Sequence, residues 1–318
     1  IIMNNLTTKP LRIAFGDGVL GVHHQAVSYL FSYERGGLES LRFGGQEWLY
    51  RGPKPAFWRA TTDNDRGNGF SRRSAQWFGA EQFSAVTNFV VSVDQQTIGQ
   101  PIAPQNNQYD DQQIATTVTI VFTYTTATEP QTTVDVSYTV MPAGTLQVTA
   151  HYTGRQGLPE LPVFGLRFVT PTPLQGYAYT GLSGETYPDR WHGGEVGTYD
   201  IAGMPVTPYL VPQEMGMHIK TDSVVLKNLA QQGLRIEKLA QPFAFSVLPF
   251  SPLELEAATH LNELPPVRRG VVSILGAVRG VGGIDSWGAD VQPAYRVSGE
   301  QNHQVQFLIT PLAAERID

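Results

Sequence analysis

A chain of 318 residues, 41% hydrophobic and 16% charged, has the composition of a folded protein and the length to bury a large core. Its net charge of −6 offers no basic stripe that could displace phosphate counterions, which argues against nucleic acid as a partner. The absence of cysteine excludes disulfides, thiolate catalysis and cysteine-ligated zinc, and leans toward the cytoplasm.

The first segment, IIMNNLTTKPLRIAFGDG, lacks the basic opening and long apolar run of a signal peptide, and Met3 is a candidate native start. No run of about 18 apolar residues occurs anywhere, so no membrane-spanning helix is predicted. The first strand candidate is AVSYLFSYE at 26–34. The segment FWRATTDNDRGNGFSRRSAQW follows at 57–77, and its TTDND is rich in side chains that bond their own backbone, so it reads as an ordered turn. Beyond it, Gly67, Asn68, Gly69, Phe70, Ser71, Arg72 and Arg73 form a glycine-hinged polar stretch with the character of a mobile lid. A short helix is expected over 74–81, a strand at AVTNFVVSV, and a polar surface connection over 98–111.

The strongest pattern comes next. In TVDVSYTV, Val134, Val136, Tyr138 and Val140 share one face, while Thr133, Asp135, Ser137 and Thr139 share the other. MPAGT supplies a turn, and Leu146, Val148, Ala150 and Tyr152 alternate on the return strand. TVTIVFTYTT, which precedes the hairpin, is expected as its third neighbour. Further strands are predicted at VFGLRFVTP, FAFSVLPF, VVSILGAV and HQVQFLITP, with one more short helix at PLELEAATH. Many strands with few short helices predict an all-β protein, a single large antiparallel sandwich over 1–318.

Motifs for chemistry are sparse. Asp63 and Asp65 are two carboxylates with no further ligand cluster, and a solvated turn outweighs a metal site. Glu185 and Asp189 in GLSGETYPDR are the best in-chain pair for a glycosidase, but structural use is the better reading, since only spatial separation defines such pairs. His23-His24 and His260-Leu261-Asn262-Glu263 lack a third ligand at a telling spacing. No nucleophile elbow or phosphate loop is present. Trp287 in VGGIDSWGAD is the unusual residue: a large indole on a short loop behind Gly282 and Gly283. From the residues alone it is either a core plug, the commoner use, or a flat apolar platform for the C–H face of a sugar.

FWRATTDNDRG, GLSGETYPDR, YLVPQEMG, FSVLPFSPLELEAATHLNELP and GGIDSW occur in the order found in the C-terminal domain of the large β-galactosidases of glycoside hydrolase family 2. Across essentially its whole length the chain resembles the separately encoded small subunits of heterodimeric β-galactosidases from lactic acid bacteria. That resemblance implies a galactose-mutarotase-like β supersandwich. It also implies a chain with no catalytic carboxylates of its own, completing a retaining enzyme that hydrolyses lactose and other β-D-galactosides. The nucleophile, the acid/base and the family's Mg²⁺ and Na⁺ sites are then expected on the large partner subunit, and no cofactor on this chain. Trp287 corresponds to a tryptophan that stacks on substrate, and the stretch from Gly67 to a mobile segment beside it. The sequence departs from the family pattern at Met215, where asparagine is more common, and MHIKTDSVVL after it is read as strand pairing or subunit contact. The competing readings are a stand-alone aldose mutarotase or epimerase, pairing His151 or His192 with Glu254, and a carbohydrate-binding module.

Overall fold

The computed structural model describes residues 10–99 and 113–314. Met3 and the expected connection from residue 100 onward lie outside the described residues. Among the described residues there are three sheets, and every pairing between neighbouring strands is antiparallel. The all-β expectation holds.

The predicted hairpin lies in a ten-stranded sheet. Thr133–Val140 pairs with Leu146–Tyr152 in the register that sets Val134 opposite Tyr152 and Val140 opposite Leu146. Val118–Thr125 is the third neighbour, as the alternation implied. All eight inward side chains of the hairpin are fully buried, and Gly144 turns the chain between the strands with φ 81°. His303–Leu312 pairs with the other side of Leu146–Tyr152, joining the C-terminal strand to the sheet centre.

A five-stranded sheet comes next, and Arg51–Ala56 is its last strand. Its order is His218–Thr221, Phe243–Leu248, Val271–Val278, Val163–Val169, Arg51–Ala56. Phe243–Leu248 is buried at all six positions. One face, with Phe243, Phe245, Val247, Val272 and Ile274, belongs to the main core. The other face, with Ala244, Leu275, Val163 and Val278, is covered by Leu182, Tyr187, Met217 and Ile219. A strand covered on both sides has no polar face, which is why FAFSVLPF reads as a nearly continuous apolar run, broken only by the buried Ser246. A six-stranded sheet that includes Leu11–Phe15, Val19–His24 and Val27–Ser32 completes the architecture.

Among the described residues the α-helices are few and short: α1 Asp63–Gly67, α2 Phe70–Arg73, α3 Gln76–Phe83 and α4 Pro252–Ala257. The last two were legible. The first overturns the expectation of a turn at TTDND. Thr62 and Asp65 form a reciprocal capping box, Asp65 N donating to Thr62 Oγ1 at 3.1 Å and Thr62 N to Asp65 Oδ2 at 3.2 Å, so the same turn-forming residues start a helix.

Candidate functional site

The chain leaves Arg51–Ala56 as buried, non-sheet backbone through Phe57, Trp58, Arg59, Ala60, Thr61 and Thr62. Buried amides outside a sheet need other acceptors. Two carboxylates meet the need: Glu81 accepts from Phe57 N at 2.8 Å and Trp58 N at 2.7 Å, and Glu256 accepts from Thr61 N at 2.7 Å and Trp58 Nε1 at 3.2 Å.

Arg59 is almost wholly buried and spans to the far end of the sequence. Its guanidinium donates to both oxygens of Asp65 at 3.1 Å, to the Arg279 carbonyl at 2.6 Å and to the Gly280 carbonyl at 2.9 Å. Burial alone would oppose its charge, but Asp65, Glu214 and Tyr187 overcome that, and its pKa is raised. Arg279 is buried as well, paired with Glu160 and Asp290 and stacked 3.9 Å from the centre of the Phe70 ring. These cations anchor the start of the segment 281–290.

That segment is pinned along its length. Asp189 accepts from Val281 N at 2.9 Å and Gly282 N at 2.8 Å, while Arg190 donates to the Gly282 carbonyl. Asn64 Nδ2 donates to the Val281 carbonyl at 2.8 Å. At Gly283, φ is 74° and a side chain would come within 2.8 Å of Asn64 Nδ2, so glycine is required there. Asp285 Oδ1 closes the tip by accepting from Trp287 N at 2.9 Å and Ala289 N at 3.1 Å. The result is a fixed loop whose indole is 93% exposed. Trp287 is not a core plug.

The stretch expected as a flap is the end of α1, a turn and α2. Gly69 bends the chain with φ 75°, and Asn68 Oδ1 accepts from Phe70 N at 2.8 Å. Phe70 is buried beneath Arg279, Ser71 is half-buried, and Arg72 and Arg73 are exposed. Arg73 reaches Asp290 at 2.7 Å, and Gly288 lies against the Gly67 backbone. The flap and the Trp287 loop therefore touch each other at both ends.

The remaining sequence candidates have local duties. Asp65 serves Arg59 and the helix cap, and Asp63 pairs with Arg66 at 2.6 Å. Asp189 is spent on the loop, apart from Glu185, which accepts from Thr207 Oγ1 at 2.9 Å. Glu254 caps α4 with Ser251, and neither His151 nor His192 is among its partners; His192 stacks on Trp191. Glu263 accepts from Thr259 N at 2.7 Å and from His260, contacts that hold its pKa down at about 2. His24 is buried, with Gln25 3.2 Å from its ring. Among the described residues no group of three histidines, aspartates or glutamates could hold a metal ion.

Sequence reasoning missed the cleft beside the loop. It measures ≈ 440 Å³, and its walls include Glu185, Tyr187, Tyr209, Gln213, Glu214 and Val281. Burial is the main cause that lifts the Glu214 carboxyl to about 7, against the pull of Arg59 and Arg167. The one available signal was a glutamate in the otherwise uncharged run YLVPQEMGM.

A family model described as "Beta galactosidase small chain" matches residues 23–309. The chain is 53% identical over 314 residues to the β-galactosidase small subunit of Latilactobacillus sakei, covering 96% of this chain and 99% of that one. The chain belongs to the β-galactosidase small-chain family. It is also 33% identical to a β-galactosidase of Streptococcus thermophilus, spanning 95% of this chain but 28% of that protein. Among solved structures, a putative aldose 1-epimerase from Escherichia coli is 12% identical, covers 95% of this chain and 99% of its own, and superposes with a TM-score of 0.46.

In this small chain, segments that carried the resemblance are neighbours in space. Asn64 of FWRATTDNDRG and Asp189 and Arg190 of GLSGETYPDR bond Val281 and Gly282, where GGIDSW begins, and Arg59 bonds the Gly280 carbonyl just before them. Glu214 of YLVPQEMG lines the cleft they enclose.

Two buried groups near this site titrate in opposite senses. His218 packs against Phe245 at 4.8 Å and meets Tyr177 Oη at 3.0 Å, and burial depresses its pKa from 6.5 to about 4. Between those values only the unfolded chain takes up its proton, so its contribution is complete above pH 6.5 and about 3 kcal/mol is lost as pH falls to 4. Glu214 has a folded pKa above its unfolded 4.5, so its contribution runs the other way and about 3 kcal/mol is lost as pH rises from 4.5 to 7. The slopes oppose each other. Urea unfolding of the isolated chain at pH 4.5 and 6.5 is expected to show little net change. His218→Phe should become less stable with rising pH, and Glu214→Gln more stable; parallel profiles for all three proteins would refute both assignments.

Proposed function

We infer that the chain is the non-catalytic subunit of a retaining β-galactosidase, acting with a large subunit on lactose and other β-D-galactosides. The observation that carries this reading is the bare indole of Trp287, 93% exposed on a loop fixed by buried ion pairs. Leaving an indole in water forgoes about 1.5–3 kcal/mol of burial, and a rigid mount makes sense only if something else covers the ring. A galactoside has the matching surface, an array of C–H bonds on one face. The name of the Latilactobacillus sakei relative and the single-chain β-galactosidases, of which this sequence spans about 28%, support a separate catalytic partner.

In this reading the partner supplies both carboxylates and holds Mg²⁺ and Na⁺, and the chain works in the cytoplasm as one domain. No described helix is long and apolar enough to cross a membrane. The chain's own part is geometry. Trp287 orients the sugar ring, and the stretch from Gly67 to Arg73 closes beside it. Opening would break the exposed Arg73–Asp290 pair, worth about 1 kcal/mol or less, and slide Phe70 from beneath Arg279.

Purified alone, the chain is expected to release no galactose from lactose, and titration into purified large subunit should restore hydrolysis to saturation at a fixed ratio. Normal turnover by the chain alone, or a large subunit fully active without it, would overturn the assignment.

A further inference from the structure

The Glu214 side chain is 7% exposed, and among the described residues it has no hydrogen-bond donor, although it faces the ≈ 440 Å³ cleft. The Tyr187 hydroxyl, on a residue 6% exposed, lines the same cleft and is likewise without a partner. Buried polar groups are ordinarily bonded, so a nearly buried carboxylate without a donor, lining an open cleft beside an unmet hydroxyl, marks a missing occupant.

We propose that this cleft is the socket for a lysine or arginine side chain of the catalytic subunit. The inference rests on the two-subunit reading above and specifies one of its contacts. Charge selects the occupant. Asp63, Glu185 and Glu214 line the cleft together, with Asp63 paired to Arg66, while the lining Arg190 is already engaged with the Asp189 and Gly282 carbonyls. The charged and titratable groups facing Glu214 are Arg59, Arg167, Glu185, Asp65 and Tyr187. Both arginines are bound elsewhere, Arg59 to Asp65 and Arg167 to Glu81. A neutral sugar would hydrogen-bond this site but do nothing to favour the charged form of Glu214; an ammonium or guanidinium would donate hydrogen bonds and stabilise the ionised carboxylate. Among the described residues no three acidic or histidine side chains are grouped so as to hold a divalent ion. The rim also suits a protein surface, since Leu210, beside Tyr209, is 83% exposed, and Ile284 stands bare on the Trp287 loop.

The test measures affinity between the purified large subunit and immobilised small chain at pH 6 and pH 8. Wild type should bind more tightly at pH 8, where Glu214 is ionised. Glu214→Gln keeps the shape and removes the charge, and is expected to weaken binding at least 30-fold at pH 8 and to abolish the pH dependence. Tyr187→Phe should weaken binding several-fold. Because Glu214 makes no bond within the chain, Glu214→Gln folds, which its melting curve would show. Wild type and Glu214→Gln binding equally at both pH values overturns the socket while leaving the subunit reading intact. So does unchanged assembly with loss of galactose binding by the isolated chain, followed by NMR, which would make the cleft a sugar site. Failure of wild type itself to bind the large subunit overturns the subunit reading and the socket with it.

Discussion

Replacing Arg59 with methionine is expected to destabilise the isolated chain by about 3–5 kcal/mol, the cost of breaking a buried ion pair and leaving one charge behind. Methionine fills most of the space, so the loss is electrostatic. Asp65 would keep only its cap to Thr62, and the carbonyls of Arg279 and Gly280 would lose their buried donor. At about 2.1 cal/mol/K of unfolding entropy per residue, a chain of this length should melt roughly 5–8 °C lower. Asp65→Asn added to Arg59→Met should recover part of the loss, since it removes the stranded charge. A fall of less than about 1 kcal/mol in urea unfolding, or no recovery in the double variant, would show that Arg59 is not the anchor described here.

Trp287→Ala should behave in the opposite manner. With 93% of its surface in water and only its backbone amide held by Asp285, the side chain supports little of the fold, and melting should move by less than about 0.5 kcal/mol equivalent. In the assembled enzyme the same substitution should lower kcat/KM by roughly 10–150-fold, the rate equivalent of losing about 1.5–3 kcal/mol of stacking. Trp287→Phe should retain part of the effect, because a smaller ring offers less of the same surface. Steady-state kinetics with lactose on complexes of matched stoichiometry would decide it. Unchanged kcat/KM removes the stacking role, and a large loss of melting temperature would mean that the indole supports the fold.

The contrast between these two residues shows what was legible. Val134, Val136, Tyr138 and Val140 announce their buried face because a strand sends alternate side chains to opposite sides, a rule that acts over two residues. Phe243–Leu248 announces burial but not its sandwiching, since covering both faces erases the alternation. Val196–Ala202, an edge strand with no fully buried position, gave no such signal and was not anticipated. Glu254 and Glu256 sit two positions apart in one short helix, yet one caps it while the other bonds Thr61, nearly 200 residues away. Nothing in their local sequence separates those fates.

By itself, then, the sequence determined the β class, the antiparallel hairpin and its third neighbour, the absence of cysteine chemistry and the family, because each follows from composition, short-range periodicity or motifs read in order. It also singled out Trp287 and the stretch from Gly67 to Arg73. Only the tertiary structure decided that Trp287 faces water, that Asp189 holds the loop beneath it, and that Glu214 and Tyr187 line one cleft. The reason is physical. A side chain's exposure, and the partner that satisfies its charge, depend on contacts between segments as far as 221 positions apart, such as Arg59 with Gly280, and such contacts exist only once the sheets have packed.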